Sequence, residues 1–195
     1  MTMHFVLALA LAAALTAATP APAGSGAEGR FASEARAEAA ALMKTLGTEL
    51  REQLTGAGPE AAIAICRERA PGMAGAASRR TGWKITRVSL EVRNPLLGSP
   101  DAWEQRVLAE FDARAAAGER AETLERAEVV EEPQGKVFRY MKAIPVQGMC
   151  LQCHGPREAI PPGVKAVLAT EYPHDQAVGY KPDAVRGGVS VKRRL

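Results

Sequence analysis

The first element that the pattern of apolar residues predicts is an amphipathic helix. Leucine recurs there at every fourth position, which places these side chains on one face of a helix. The leucines are Leu42, Leu46, Leu50 and Leu54. Ser33 is a suitable N-cap, so we predict a helix over 33–54 after a flexible lead-in over 24–32. We interpret the leucine face as core packing.

Three shorter helices are predicted further along the chain. The stretch 56–59 contains two glycines and a proline and predicts a break, followed by a helix over 59–69 that Pro71 ends. Ser99, with Pro100 directly after it, predicts the N-cap of a helix that runs to about residue 117. Its apolar face carries Trp103 and Phe111, which we interpret as core residues. A last short helix is predicted over 161–168.

Alternating apolar and polar residues predict β-strands, two of which form an antiparallel hairpin. A half-buried strand is expected over 83–90, a hairpin is expected over 122–130 and 136–144, and a last strand is expected over 187–192. Four strands are thus assigned, and the loops leave room for a fifth. Because the second hairpin strand leads directly into the cysteine motif described next, we expect its apolar side to form a wall of a binding pocket.

The chemistry of the sequence is concentrated in Met-Cys-Leu-Gln-Cys-His-Gly over 149–155. Two cysteines at this spacing, with a histidine directly after the second, form the attachment pattern of c-type haem. Cys150 and Cys153 would each form a thioether with one vinyl group, and His154 would be the proximal iron ligand. A redox disulfide, half of a zinc site and a chance match are the alternatives.

The N-terminal segment predicts export. An unbroken apolar run over 5–15 precedes the small-residue site Ala21-Pro22-Ala23, so we predict a signal peptide over 1–23. The run is shorter than the about 20 residues that span a bilayer, and we therefore expect a periplasmic protein without a stable membrane anchor. The formal net charge of +3 is spread along the chain without a basic stripe, so no nucleic-acid partner is inferred.

Taken together, the motifs resemble those of the Tll0287-like domain family over residues 33–195. They are Ala62-Ile63 to Cys66, Ala70-Pro71, Arg87-Val88-Ser89, Arg93-Asn94-Pro95, Pro100 to Glu104, Tyr140-Met141, Cys150 to Gly155, Asp175 to Tyr180 and Arg186 to Val191. The resemblance implies an α+β, PAS-like fold, in which helices flank an antiparallel sheet and the first helix is long. It also implies one covalent haem c, carried by a single domain.

The sixth iron ligand is left open by the sequence. The first choice is Cys66, the one cysteine outside the motif, which coincides with a cysteine of the family. His174 is the second candidate. Met73, Met141 and Met149 follow, together with an open or water-ligated site.

Basic residues near the predicted pocket are candidates for the haem propionates, because guanidinium groups match carboxylates. They are Arg87, Arg93, Arg139 and Lys142, with Arg93 favoured, and Tyr140 is a further pocket candidate.

Two classes of function fit these expectations. The first is an exported single-haem c-type cytochrome that acts as a redox or ligand sensor or as a low-potential electron carrier, without turnover of its own. Its partner would be a redox or signalling protein that the sequence does not identify, and the oligomeric state is equally open. The second is a small haem enzyme of the peroxidase or nitrite-handling type with an open iron site. A zinc-stabilised binding domain is a third hypothesis, which holds only without haem.

Overall fold

The computed structural model describes residues 26–195, so the predicted signal peptide and its cleavage site lie outside the described residues. The fold is α+β, with a four-stranded antiparallel sheet in the order β1-β4-β3-β2. The strands are β1 Lys84–Val88, β2 Glu125–Glu132, β3 Gly135–Pro145 and β4 Val185–Arg194. The helices are α1 Ala27–Ala64, α2 Ala70–Thr81, α3 Pro95–Gly98, α4 Ala102–Ala116, α5 Leu151–His154 and α6 Pro162–Glu171. No fifth strand is present over 26–195.

The long first helix begins earlier than the capping signal predicts. α1 starts at Ala27, so the lead-in prediction is wrong for residues 27–32 and Ser33 is not an N-cap. The ring of Phe31 lies 5.7 Å from that of Phe138 in β3, and this contact gives the early turns a tertiary partner that local sequence does not reveal. The predicted break is confirmed, because Gly58 leaves helical geometry with φ 86° and ψ 175°.

The helix that follows the break does not end at Pro71, contrary to the prediction. A π-helical turn, Ile65–Arg69, connects the end of α1 to α2. Pro71 lies in the first turn of α2, where the hydrogen bond that proline cannot donate is of least consequence. The wider π turn just before it therefore lets the chain continue as a helix to Thr81.

The start of α4 is displaced by two residues from the predicted N-cap. Asp101, not Ser99, caps this helix, since its side chain accepts a 2.9 Å hydrogen bond from the amide of Glu104. The Glu104 carboxylate in turn accepts from the Asp101 amide at 2.8 Å, which completes a capping box. The Ser99 hydroxyl instead donates to the Pro95 carbonyl at 2.7 Å. The predicted burial of Trp103 and Phe111 is confirmed.

Helices cover both faces of the sheet. α1 and α2 pack on one face, against a cluster that includes Phe138, Tyr140 and Val189. α4 packs on the other face, against a cluster that includes Met141 and Val185. None of the helices over 26–195 has the length and apolar character needed to cross a membrane.

A β-bulge changes the direction of side chains at the start of β4. Ile144 of β3 pairs with Gly187 and Pro145 pairs with Val185, so Arg186 has no partner residue in the ladder. A bulge shifts the alternation by one residue. Val185 consequently lies in the α4 cluster, whereas Arg186 and Gly187 both line a cavity on the α1 side.

Candidate cofactor site

The cavity lies between the first helical layer, strands β1 and β4, and the cysteine motif. Its volume is ≈ 490 Å³, within the range of about 300–1,000 Å³ that is usual for ligand sites. Leu46, Leu50 and Leu54 line it, and Leu42 both lines it and belongs to the buried core. The core-packing interpretation of the leucine face therefore holds for Leu42, while the other three leucines form an apolar cavity wall.

The cysteine motif forms a short helical segment at the edge of this cavity. A 3₁₀ turn, Gly148–Cys150, runs directly into α5, so Cys150 and Cys153 lie one turn apart on the same side. Both thiols line the cavity, as does His154. Cys66 and the two motif cysteines are all free thiols. Burial raises the pKa of Cys153 to about 11.

The histidine of the motif is oriented by a backbone carbonyl. His154 Nδ1 lies 2.7 Å from the Ala177 carbonyl oxygen. Arg186 Nε also lies 3.2 Å from Nδ1, but the carbonyl contact is the shorter one and a carbonyl oxygen only accepts, so we assign the ring proton to Nδ1. This assignment leaves the Nε2 lone pair available to a metal. Burial holds the pKa of His154 well below its usual value, and the charges of Arg186 and Arg93 act in the same direction. The ring is therefore neutral at pH 7.

A loop after α6 holds the motif in place through its backbone. The amide of Gly179 donates to the Gly155 carbonyl at 2.8 Å, and the amide of Tyr180 donates to the His154 carbonyl at 2.9 Å. The Tyr180 ring meets the His154 ring edge to face, with centroids 6.2 Å apart. Loop and motif are thus one unit, and the loop fixes the carbonyl that orients His154.

Arg93, the favoured propionate candidate, lines the cavity, but its hydrogen bonds go to other groups of the protein. Its Nε donates to an Asp175 carboxylate oxygen at 3.0 Å. Its Nη2 donates to the carbonyl oxygens of Cys153 at 2.6 Å and of Ala177 at 3.3 Å. The buried guanidinium therefore clamps the motif to the loop, and its charge is already matched by Asp175.

Two other arginines line the cavity without a carboxylate partner among residues 26–195. Arg87, a sequence candidate on β1, has a buried Nε with no hydrogen-bond partner. Arg186, which sequence reasoning missed, lies at the bulge with its Nε 3.2 Å from His154 Nδ1. The Arg-Gly-Gly sequence at 186–188 was the available signal, since glycine in a strand often marks a bulge.

Cys66 enters the cavity from the π-helical turn. Single π turns inside helices occur frequently at functional sites, because the extra residue changes the direction of a side chain. Cys150, Cys153 and Tyr172 line the same cavity. The structure thus brings the predicted distal ligand and the motif to one cavity.

Comparison with known proteins gives this arrangement a family. A family model described as Tll0287-like matches residues 27–193. The chain belongs to the Tll0287-like family. The crystal structure of the cyanobacterial heme-protein Tll0287 matches with a TM-score of 0.61 and 23% sequence identity, over 83% of this chain and 96% of that chain. At this identity the likeness shows a shared fold. A comparison with curated proteins found no match.

Several candidate residues lie away from the cavity of this Tll0287-like chain. His174 is exposed on the loop after α6 and does not line the cavity, so it is not placed as an iron ligand. Met73 packs against the α1 cluster, and Met141 lies in the α4 cluster. Met149 alone of the methionine candidates lines the cavity.

The pocket roles predicted for Arg139, Tyr140 and Lys142 are also wrong. Arg139 is buried among acidic residues on the α4 side of the sheet, where it pairs with Asp101 at 2.7 Å. The Tyr140 hydroxyl donates to Glu125 at 2.9 Å, and Lys142 donates to the Glu122 carbonyl at 2.6 Å. Only the end of β3, at Ile144 and Pro145, forms a cavity wall.

The zinc alternative finds no support in the arrangement of ligands. Over 26–195, no three side chains of His, Cys, Asp or Glu are grouped so that they could hold a metal ion. Protein zinc sites need three or four such ligands, whereas a haem iron takes only one or two from the protein.

Proposed function

We propose that this chain is an exported, periplasmic, single-haem c-type cytochrome that acts as a redox or ligand sensor or as a low-potential electron carrier. One observation carries the proposal: the complete attachment motif and Cys66 line one largely apolar cavity of ≈ 490 Å³. The solved relative is itself named a heme-protein, which supports the same cofactor here.

The residues of the cavity fit a haem c on three counts. Free thiols one helical turn apart suit two vinyl groups on neighbouring pyrroles. The neutral His154 has its Nε2 lone pair free of the Ala177 hydrogen bond. The buried, unpartnered Nε of Arg87 is a polar group that an anionic part of a cofactor would satisfy.

Each residue has a distinct role in this proposal. Cys150 and Cys153 would hold the haem through two thioether bonds, one to each vinyl group, with each thiol proton accounted for by the second carbon of the same vinyl group. His154 ligates through Nε2, and the carbonyl of Ala177 keeps the ring in the required tautomer. When bound, the haem supplies one-electron redox chemistry and a site for small ligands.

Cys66 is the proposed sixth ligand. It approaches from the π turn, a different wall of the cavity from α5. A thiolate ligand stabilises ferric iron and lowers the reduction potential, which suits a sensor or a low-potential carrier. Met149 is the alternative ligand that the cavity offers.

The enzyme hypothesis has less support. A peroxidase or nitrite-handling enzyme needs a distal acid or base next to an open iron site. His174, the histidine considered for that role, lies outside the cavity. We therefore propose that the protein transfers electrons to, or signals to, a separate partner protein.

The test is the optical and EPR spectrum of protein matured with haem. We expect a c-type pyridine haemochrome in the wild type and its loss when Cys150 and Cys153 are both replaced by alanine. We expect a low-spin thiolate signal that Cys66→Ala abolishes and that Met149→Leu, the matched cavity variant, retains. A wild type without covalent haem would refute the cytochrome, whereas a high-spin wild type that binds small ligands would favour the open-site enzyme.

The export proposal has its own test. N-terminal sequencing of protein from the periplasmic fraction should show a chain that begins at Gly24.

A further inference from the structure

The charged residues of the cavity are all of one sign. Among the residues that the structure describes, Arg87, Arg93 and Arg186 line it, and no Asp, Glu or Lys does. Asp175, which lies behind the wall, neutralises Arg93 through the 3.0 Å ion pair. The cavity therefore keeps two uncompensated guanidinium charges.

Uncompensated cations that border a largely apolar cavity are costly, because an apolar wall offers no substitute for hydration. Arg87 has the more direct signature of a missing ligand, since its Nε is buried and has no hydrogen-bond acceptor in the described chain. Natural structures leave few such groups unsatisfied. A ligand that fills the cavity and carries a hydrogen-bond acceptor would satisfy the Nε–H group of Arg87.

Arg186 is directed into the cavity by the bulge. Its Nη1 donates to the Ser89 hydroxyl at 2.8 Å and to the Glu91 carbonyl at 3.2 Å, and its guanidinium lies 5.4 Å from the Tyr180 ring centroid. All of these partners are neutral, so they fix the group without cancelling its charge. In a regular strand the alternation would place residue 186 on the α4 side.

We infer that Arg87 and Arg186 form a dianion site that binds the two propionate carboxylates of the haem. The inference rests on the proposed function. In this arrangement, β1 and the bulge of β4 anchor the edge of the haem that bears the carboxylates. Arg93, although it lines the same cavity, is a positioning residue that acts through Cys153 and Ala177.

The experiment compares two porphyrins that differ only in their carboxylates. In the full chain carrying Cys150→Ala and Cys153→Ala, the porphyrin can bind only reversibly, because both thioether bonds are lost. His154 and Cys66 are still present. This protein is titrated with haemin and with haemin dimethyl ester, and then again after Arg87→Gln, Arg186→Gln or both. Arg126→Gln, an exposed change on β2, is the matched control, and Arg186→Lys tests rescue by charge.

We expect each glutamine variant to weaken haemin binding about ten- to a hundredfold, the usual effect of losing a hydrogen bond to a charged group. Binding of the dimethyl ester should change less than twofold, and Arg186→Lys should restore part of the haemin affinity. The inference is overturned if both porphyrins weaken equally, or if the double variant keeps the preference for haemin. Failure of the starting protein to bind either porphyrin would instead refute the haem cavity itself, and with it the inference.

Discussion

The role of each arginine in this chain depends on the groups that it contacts. Arg93 holds Asp175 and two backbone carbonyls, Arg139 is paired with acids on the far side of the sheet, and Arg87 and Arg186 face the cavity without a carboxylate. Cys150, Cys153 and His154 lie together at the cavity, because residues three and four positions apart share one side of a helical turn. Arginine roles depend on contacts between distant segments, so sequence reasoning named Arg87 and Arg93 as candidates, favoured Arg93, and did not name Arg186, which also lines the cavity.

Replacement of Arg93, which clamps the cysteine motif to the loop after α6, should lower the stability of the protein. Arg93→Met leaves the Asp175 carboxylate without its cationic partner and the Cys153 carbonyl without its donor, and we expect the free energy of unfolding to fall by about 3–5 kcal/mol. Urea denaturation followed by circular dichroism measures this. Arg80→Met removes an exposed pair with Glu38 that solvent screens, and this change should lower the free energy of unfolding far less. Equal effects of the two changes would show that Arg93 is not a clamp.

Gly187 is required by close approach of two backbones, and its φ of 157° also disfavours a side chain. A Cβ at this position would lie 2.3 Å from the Val88 carbonyl oxygen and 3.2 Å from Ser89 Cβ. Gly187→Ala should therefore separate β1 from β4 beside the cavity and destabilise the protein by about 1–3 kcal/mol.

The matched control for Gly187→Ala is an open helical glycine. A Cβ at Gly72, in α2, would meet no neighbouring group within 4 Å, so Gly72→Ala should be neutral or stabilising by up to about 1 kcal/mol. Thermal melts of the two variants distinguish these outcomes, and a neutral Gly187→Ala would contradict the close-approach argument.

At the scale of secondary-structure elements, local sequence signals predicted the break within a helix better than they predicted where helices begin and end. The glycine-proline break at Gly58 was predictable, because few residues adopt its positive φ. The continuation of the helix past Pro71 and the start of α1 at Ala27 were not. A π turn in the first case and a Phe31–Phe138 contact in the second decide the outcome, and neither is visible in local propensity.

The contact between α1 and β2 should make stability depend on pH. The guanidinium of Arg36 holds the pKa of Glu125 below its usual 4.5, against the effect of burial, and the Tyr140 hydroxyl helps. A folded-state pKa below the unfolded one gives stability that is complete above about pH 4.5 and is lost as the pH falls through the lower folded value.

Glu125→Gln should therefore lower the free energy of unfolding at neutral pH by at most about 1 kcal/mol, since Arg36 is half exposed and screened. The variant should also lose stability less steeply than wild type between about pH 5 and about pH 3. Urea titrations across this window measure the slope. Glu52→Gln, at an exposed position of α1, should reproduce the wild-type slope, and a Glu125 variant that does the same would contradict the assignment.

At the scale of the whole molecule, hydrophobic periodicity predicted the helices and strands one by one, and the resemblance to the Tll0287-like family supplied their arrangement as an α+β fold with an antiparallel sheet and a long first helix. The PAS-like class stays a prediction. Periodicity could not reveal that a leucine face borders a cavity instead of a solid core, because a helix face has the same pattern in both cases.

Cofactor loading should protect one side of the molecule only. Hydrogen exchange is expected to slow on loading in the π turn, in α5 and in the loop over 175–180, since these segments hold or contact the cavity residues. The buried α4 face, formed around Phe111 and Leu108, should exchange at the same rate with and without haem. Mass spectrometry of the two forms tests this, and uniform protection throughout the chain would contradict a localised site.

The walls of the cavity extend along the chain from Leu42 to Val189, with the cysteine motif between them. Such a site cannot assemble from neighbouring residues; it exists only after the two ends of the chain have met, and contacts of such long sequence separation form slowly. Until then the three cysteines belong to an open chain in the oxidising compartment that we propose for it. If the proposed function holds, maturation is a kinetic competition, in which capture of the cofactor must be faster than the formation of a disulfide among these cysteines.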